Sequence, residues 1–276
     1  MMKVAGVQMD IEFADCKSNL EKMRTKVAET RSAGADLTVF PECTTTGYCY
    51  RSLEEAMAQA ETLEGPSVKT VIEIASQYEM LIVFGFLEKE DDKIFNSLAL
   101  IGPDGIRGSY RKVHLPFLGV DRFTTAGNCL TDVFDVGDAK IGMNICYDSS
   151  FPEAARSLAI SGADIICLPT NWPPTSGLTA DVIPNARALE NHVFFMAINR
   201  VGSERGFEFI GKSKICDPRG SSLVFANHNS EEILYADINP SLARQKHLVS
   251  IPGEHEVHRM KDRQPATYHG ITRPKS

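Results

Sequence analysis

Gly34-Ala35-Asp36-Leu37-Thr38-Val39-Phe40-Pro41 is matched at its Gly, Ala, Asp and Pro positions by Gly162-Ala163-Asp164-Ile165-Ile166-Cys167-Leu168-Pro169. Each stretch follows a helical pattern, contains a short apolar strand and ends at a proline that is expected to stop the strand. The match favours two related halves, each a sheet with helices on one face, packed sheet to sheet. The alternative is that two unrelated helix–turn–strand units both use glycine and aspartate in their turns.

Strand-like and helix-like segments alternate along the rest of the chain. An amphipathic helix is predicted from Ser18 to about Ala33, because Leu20, Met23 and Val27 form one apolar stripe. No linker-like or low-complexity stretch interrupts this order, so we expect residues 1–276 to form a single α/β domain. Further strands are predicted at residues 4–9, 37–40, 81–86, 96–101, 107–110, 140–145, 164–168 and 193–199, and further helices at 66–78, 153–160 and 185–191.

Composition excludes several classes of protein. The chain has 276 residues, of which 43% are hydrophobic, enough for a large core, and its net charge of -7 argues against a nucleic-acid-binding surface. No apolar stretch approaches the roughly 18 to 20 residues that span a bilayer. A strand is predicted to begin at Lys3, leaving no room for a signal peptide, and the seven cysteines show no disulfide framework. We therefore expect a cytoplasmic protein with no membrane or nucleic-acid partner.

The main candidate for chemistry is Cys146, in the segment Gly142-Met143-Asn144-Ile145-Cys146-Tyr147-Asp148. An apolar run ends there and a helical run is about to begin. A strand-to-helix turn exposes its side chain beside free backbone N–H groups, which can hold a thiolate and the oxyanion that it generates. The alternative is a buried structural cysteine, because cysteine is among the most buried residue types.

Two further segments favour the catalytic interpretation. Glu42 ends the β-rich run at residues 37–42, and Lys112 lies in the extended, proline-stopped segment at residues 110–116. A thiol with an ordinary pKa near ~8.5 is only partly ionised at neutral pH and needs a base. The oxyanion formed on attack needs positive charge or N–H donors, and an amine leaving group needs a proton. Glutamate, lysine and cysteine can fill these roles without a metal or cofactor.

These segments resemble the nitrilase, or carbon–nitrogen hydrolase, superfamily. The resemblance implies a four-layer α-β-β-α sandwich of two mixed sheets with pseudo-twofold related halves. It also implies that Glu42 is the general base, that Lys112 stabilises the tetrahedral intermediate, and that Cys146 is the nucleophile. The backbone N–H of Tyr147 would be a second oxyanion donor. The resemblance covers nearly everything to about residue 240 and is carried, in the family's order, by Val4-Ala5-Gly6-Val7-Gln8-Met9, Phe40-Pro41-Glu42, Tyr110-Arg111-Lys112, Cys146-Tyr147-Asp148, Phe151-Pro152-Glu153, Gly162-Ala163-Asp164, Arg187-Ala188-Leu189-Glu190-Asn191, Asn199-Arg200-Val201-Gly202 and Gly211-Lys212-Ser213.

One position departs from the family pattern. Many members carry a second glutamate about eight residues after the lysine, where this chain has Val120, and the nearest carboxylate is Asp121. Asp121 either replaces that glutamate with a shorter reach or only pairs with an arginine such as Arg122, a pairing that is usually worth little. Both interpretations are open at this point.

The resemblance implies hydrolysis of a linear, non-peptide C–N bond in a small amide or N-carbamoyl substrate, through a cysteine thioester, with release of ammonia or an amine. Members that hydrate nitriles usually have Cys-Trp-Glu at the nucleophile, whereas this chain has Cys146-Tyr147-Asp148, as amidases and carbamoylases do. Tyr48, Asn171 and Trp172 are predicted to line the pocket, and no basic cluster indicates a carboxylate-bearing substrate. The alternatives are a nitrilase and a non-catalytic family member.

Three other signals carry less weight. Residues 206–213 match the phosphate-loop pattern letter for letter, but a phosphate cradle requires a following helix, and residues 214–218 predict a strand and a turn. His255 and His258 lack the spacing of a zinc-binding helix, so no metal site is expected. His114 has no visible acid partner in the sequence and is predicted to be structural.

The tail, at about residues 240–276, is polar and shows little periodicity, and its basic residues include Arg244, Lys246 and Arg273. We expect it to pack on the protein surface or on a partner subunit. The family resemblance implies a homodimer or a higher homo-oligomer, with a small-molecule substrate as the other partner.

Overall fold

The computed structural model describes residues 1–226 and 230–272, and most of its strands belong to two six-stranded mixed sheets. The strands are β1 Met2–Gln8, β2 Leu37–Val39, β3 Leu81–Glu90, β4 Lys93–Gly102, β5 Gly105–Arg111, β6 Val133–Asp135, β7 Lys140–Met143, β8 Ile165–Thr170, β9 Phe194–Asn199, β10 Ser203–Glu204, β11 Phe207–Glu208, β12 Lys214–Cys216, β13 Ser222–Phe225, β14 Glu232–Ile238, β15 His247–Ile251 and β16 His255–His258. The first sheet has the order β14-β1-β2-β3-β4-β5, and the second has the order β13-β12-β9-β8-β7-β6.

Helices cover the outer face of each sheet. The α-helices are α1 Cys16–Ser32, α2 Leu53–Met57, α3 Pro66–Tyr78, α4 Pro152–Ile160, α5 Gly177–Asn191 and α6 Ser241–Arg244, and 3-10 turns cover Gly119–Arg122, Cys146–Ser150, Pro174–Ser176, Pro265–Thr267 and His269–Thr272. On the first sheet, Met23 of α1 and Val71 of α3 share a buried core with Val7 and Phe84. On the second sheet, α4 packs on β7, and α5 packs on β9 and β12.

The inner faces of the two sheets pack on each other. Val4 and Val83 of the first sheet belong to the same buried core as Met143 and Ile198 of the second. The sheets approach closely at Gly6, where an added Cβ would lie 2.2 Å from the Cδ1 atom of Ile198. The layers are therefore helix, sheet, sheet and helix, which is the predicted α-β-β-α sandwich.

The two halves of the chain repeat each other element by element. The order β1-α1-β2-α3-β3-β4-β5 corresponds to β7-α4-β8-α5-β9-β12-β13, and β14 and β6 add antiparallel to β1 and β7. Asp36 and Asp164 make the same bonds to the backbone, because their carboxylates accept the backbone N–H groups of Lys3 and Lys140 at 2.8 and 2.9 Å. The backbone N–H of each aspartate donates to the carbonyl of the same lysine. The two related halves predicted from the matching stretches are confirmed.

Two predictions about element boundaries are wrong. Pro169 does not stop its strand, because β8 continues to Thr170 beside β9. The neighbouring strand β7 pairs with β8 only as far as Met143, which lies opposite Cys167. Pro169 lies beyond this last pair, so its lack of an N–H group breaks no hydrogen bond between β7 and β8. The helix predicted at residues 185–191 begins earlier, at Gly177, and contains Pro184, a residue type that usually interrupts helix interiors.

The tail has more regular structure than its composition indicates. Strands β15 and β16 form an antiparallel hairpin in which Leu248 lies opposite Val257. Arg273 lies outside the described residues. The packing of the tail on a partner subunit stays a prediction, as do the single-domain and cytoplasmic assignments. None of the described helices is long and apolar enough to cross a bilayer.

The segment that matches the phosphate-loop pattern is not followed by a helix. Strand β12 begins directly after Ser213, whose hydroxyl is buried and donates to the carbonyl of Asn199. Lys212 donates instead to the carboxylate of Asp181 at 2.8 Å. The backbone arrangement that a phosphate cradle requires is therefore missing from this segment.

A methyl group at Gly85 is expected to destabilise the fold. An added Cβ would lie 2.3 Å from the backbone nitrogen of Cys43 and 2.9 Å from the Cα atom of Glu42, so the backbone after β2 would have to move. We expect Gly85→Ala to lower the free energy of unfolding by about 1–3 kcal/mol, measured by urea denaturation. Gly177→Ala is the matched control, because an added Cβ there would have no neighbour within 4 Å among the described residues outside its own helix backbone. An unchanged urea midpoint for Gly85→Ala would contradict this close packing.

Candidate active site

A lysine ammonium lies between two carboxylates at one end of the first sheet. Glu42 follows β2, Lys112 follows β5, and Asp121 lies in the 3-10 turn Gly119–Arg122. The Nζ atom of Lys112 donates to Oε1 of Glu42 at 2.7 Å and to Oδ2 of Asp121 at 2.5 Å. All three side chains are completely buried. The structure thus brings together three of the residues singled out in the sequence.

Asp121 pairs with the lysine and not with its neighbouring arginine. The Arg122 guanidinium donates to the backbone carbonyls of Gly119 and Tyr50, at 3.0 and 2.6 Å. Tyr48, predicted as a pocket wall, donates its hydroxyl to Oδ2 of Asp121 at 2.8 Å. Of the two interpretations left open by the sequence, the geometry therefore supports a carboxylate that contacts Lys112.

Asn96 belongs to the same cluster and was missed in the sequence. Its Nδ2 atom donates to Oε1 of Glu42 at 2.6 Å and to Oδ1 of Asp121 at 2.9 Å. Two negatively charged groups are thereby held around one ammonium in a fixed arrangement. An asparagine inside an apolar strand such as β4 was the available signal, because a buried amide requires partners.

Cys146 lies where the sequence places it, at the turn that follows β7. It begins the 3-10 turn Cys146–Ser150, has a φ of 43°, and is 7% exposed. A positive φ is unusual for a residue with a side chain and is often found at functional sites. The N–H groups of a first helical turn have no acceptor within that turn, so the N–H of Tyr147 can serve a bound oxyanion.

The charges around Cys146 oppose the free thiolate. Burial first, and then the nearby Glu42 carboxylate, raise the pKa of the Cys146 thiol well above its usual range, while the Lys112 ammonium and the backbone N–H of Asn171 act in the opposite direction. Burial also raises the pKa of Glu42, although Lys112 partly offsets this. Burial alone would lower the pKa of Lys112, but the Asp121 and Glu42 carboxylates outweigh burial and keep it well above its ordinary value.

The structure also gives the surroundings of the remaining residues that were considered in the sequence. Asn171 follows β8, and its backbone N–H acts to lower the pKa of the Cys146 thiol. Neither polar atom of its buried side chain has a hydrogen-bond partner among the described residues. Trp172 is buried, and its backbone N–H donates to Oδ1 of Asn199 at 2.8 Å. His114 has the acid partner that the sequence did not show, because its Nδ1 atom lies 2.7 Å from Oδ1 of Asp148. Within residues 1–226 and 230–272, no group of three or more His, Cys, Asp or Glu side chains could hold a metal ion.

Comparison with known proteins assigns this chain to a family of enzymes. The family model described as carbon-nitrogen hydrolase matches residues 3–247, so the chain belongs to the carbon–nitrogen hydrolase family and is an enzyme of that type. It is 39% identical over 252 residues to a protein named nitrilase from Pyrococcus abyssi, covering 90% of this chain and 94% of that protein. It is 34% identical over 236 residues to an (R)-stereoselective amidase from a Pseudomonas species, covering 83% and 82% of the two chains.

A solved structure agrees with this assignment. The chain superposes on Saccharomyces cerevisiae Nit3, a member of branch 10 of the nitrilase superfamily, with a TM-score of 0.79 and 27% identity. The superposition covers 88% of this chain and 92% of Nit3. The nitrilase-superfamily fold predicted from the sequence is confirmed.

Removing the buried ammonium is expected to make stability depend on pH. Lys112→Met leaves the carboxyl groups of Glu42 and Asp121 facing each other, and loss of one partner of a buried ion pair typically costs about 3–5 kcal/mol. In the folded variant, repulsion and burial favour the protonated form of these carboxyl groups. Ionising them at higher pH therefore destabilises the fold, so the loss of unfolding free energy should be small near pH 5 and should grow as the pH rises to 8. Urea denaturation at both pH values measures this loss.

Lys22→Met is the matched control for this experiment. Lys22 pairs with Glu12 at 2.9 Å in an exposed position, and exposed pairs typically contribute about 0–1 kcal/mol. Equal losses at pH 5 and pH 8 for Lys112→Met would contradict a buried triad of charges.

Proposed function

We propose that this enzyme is a thiol hydrolase of linear, non-peptide C–N bonds in small amides or N-carbamoyl compounds. Cys146 attacks the carbonyl carbon and passes its proton to Glu42. Glu42 then returns that proton to the leaving nitrogen, so ammonia or an amine departs and a thioester remains on Cys146. A water molecule, deprotonated by the same carboxylate, attacks the thioester and releases the carboxylic acid and the thiol.

One observation carries this proposal. Glu42 binds Lys112 and Asn96 through its Oε1 atom, and in the part of the chain that the structure describes its buried Oε2 atom has no hydrogen-bond partner. An ionised carboxylate oxygen that the described residues leave unbonded can accept a proton. In the cycle above, this oxygen receives the thiol proton.

The oxyanion would be held by two groups of different origin. Lys112 supplies an ammonium whose raised pKa keeps it charged throughout the cycle. The backbone N–H of Tyr147 supplies the second donor, at the start of the turn that also carries Cys146. Loss of one such donor commonly costs about 2.7–4 kcal/mol of barrier.

A nitrile substrate is the second candidate, and the Pyrococcus abyssi relative named nitrilase favours it. The amide is preferred because Cys146-Tyr147-Asp148 follows the amidase pattern and because the Pseudomonas relative is named an amidase. Membership of the carbon–nitrogen hydrolase family argues against a non-catalytic role.

Cys146→Ala is expected to abolish turnover, by at least about 10³-fold, because it removes the nucleophile that forms the thioester, and the second half-reaction hydrolyses that thioester. Ammonia release should be measured with wild type and variant over a panel of carboxamides, ureido acids and nitriles. Cys129→Ala is the control, because that thiol lies in an exposed contact with Thr131. Substantial ammonia release by Cys146→Ala with the substrate that wild type prefers would refute the nucleophile assignment.

The fall of kcat/KM at low pH should follow the pKa of the Glu42 carboxyl. Its carboxyl must be ionised to accept the thiol proton, and burial raises its pKa, so kcat/KM should fall below an apparent pKa that exceeds the ordinary value of about 4.3. Asp121 contributes to that increase through its charge. Asp121→Asn should therefore shift the acid limb to lower pH, whatever its effect on the maximal rate. Asp104→Asn, at an exposed turn, is the control and should leave the acid limb of the kcat/KM profile unchanged. An acid limb that does not shift in Asp121→Asn would exclude Glu42 as the titrating base.

A further inference from the structure

Asp148 is a fully buried carboxylate to which the proposed chemistry gives no role. Four donors lie within hydrogen-bond distance of its two oxygens. Oδ2 accepts from the Tyr110 hydroxyl at 2.7 Å and from the backbone N–H of Ile145 at 2.9 Å. Oδ1 accepts from the backbone N–H of His114 at 3.0 Å and from the Nδ1 atom of its ring at 2.7 Å. These bonds are expected to hold the carboxylate in one orientation, because bonds to an ionised acceptor are the strong ones.

These donors flank the two reacting segments. Tyr110 and His114 lie two residues before and two residues after Lys112, and Ile145 immediately precedes Cys146. Asp148 itself lies two residues after Cys146. A single carboxylate therefore joins the backbone around the ammonium to the backbone around the thiol, although the two segments come from different sheets.

The segment held in this way adopts a costly conformation. Cys146 has a φ of 43°, in a region that residues with side chains rarely occupy. The Ser149 hydroxyl donates to the Cys146 carbonyl at 2.7 Å, and the His114 ring stacks on Phe151 with centroids 3.8 Å apart. Such a conformation persists only where the surroundings determine it, and Asp148 provides the connection to Lys112.

We propose that Asp148 is a positioning residue that sets the distance and angle between the Cys146 sulfur and the Lys112 ammonium. It touches no reacting atom and acts through Tyr110, His114 and Ile145. This role rests on the proposed function, in which sulfur and ammonium must converge on one carbonyl group. A displacement of about 1 Å between reacting groups can cost about 100-fold in rate.

Asp148→Asn tests this role, because it keeps the size of the side chain and places an NH2 group against hydrogen-bond donors. We expect kcat, normalised to the folded fraction, to fall about 10- to 100-fold, with KM changed less than about threefold. Alkylation of Cys146 by iodoacetamide, followed by peptide mass spectrometry, should slow as well. Asp164→Asn is the matched control. Asp164 is also buried, accepts a backbone N–H at 2.9 Å and pairs with Arg244 at 2.8 Å, but it precedes β8, whereas Asn171 follows the other end of that strand.

Tyr110→Phe provides a milder variant, which removes one hydroxyl and leaves the ring. We expect it to lower kcat about three- to tenfold and to add little in the Asp148→Asn background, because both changes break the same bond. Additive losses, a kcat of Asp148→Asn within about twofold of wild type, or an equal loss in Asp164→Asn would each overturn the positioning role. Failure of the proposed function gives a different result, namely continued turnover by Cys146→Ala.

Discussion

The site depends on burying one ammonium between two carboxylates. Removing an ion from water costs several kcal/mol even after relaxation, and attraction repays this cost only when the geometry is good and the remaining polar atoms are satisfied. Asn96 and Tyr48 meet most of that condition by donating to Oε1 of Glu42 and to both oxygens of Asp121 at 2.6 to 2.9 Å, and Oε2 of Glu42 is left without a partner among the described residues. Because two carboxylates surround one ammonium, the cluster keeps a net negative charge, which disfavours a thiolate at Cys146 in the free enzyme. The thiol is therefore expected to lose its proton during attack and not before it.

The repeat explains how residues from distant parts of the chain meet. Glu42 and the backbone N–H of Asn171 both act on the pKa of the Cys146 thiol. The equivalent strands β2 and β8 therefore end near the same site, one in each half of the fold. The equivalence is structural and not chemical, because one strand end supplies a carboxylate and the other an N–H to the sulfur of Cys146. Lys112 and Cys146 follow β5 and β7, which are not equivalent. The two halves of the fold are therefore related by a pseudo-twofold axis, but the reacting groups that they contribute are not.

Local patterns in the sequence were enough to predict the repeat of the two halves. The Asp36 and Asp164 stretches predict the repeat because each aspartate makes bonds to its own half of the fold. Partners that meet only across the fold could not be predicted. Asn96 looks like any polar residue in a strand, and the acid partner of His114 lies 34 residues away at Asp148. Local rules also misplaced the end of β8, since a proline is tolerated there only because the neighbouring strand has already ended.

The polar and charged groups near the thiol limit what can bind there. Within the described residues, Oε2 of Glu42 and both polar atoms of the Asn171 side chain are buried without hydrogen-bond partners, and a buried polar group is stabilised by a partner that hydrogen-bonds to it. A carboxylate at the reacting centre would place a further negative charge beside Glu42 and Asp121, at a high cost in a buried site. A neutral carboxamide or carbamoyl group offers donors and an acceptor without added charge. The balance of charge around Lys112 therefore favours a neutral group at the reacting carbon, whatever charge the rest of the substrate carries.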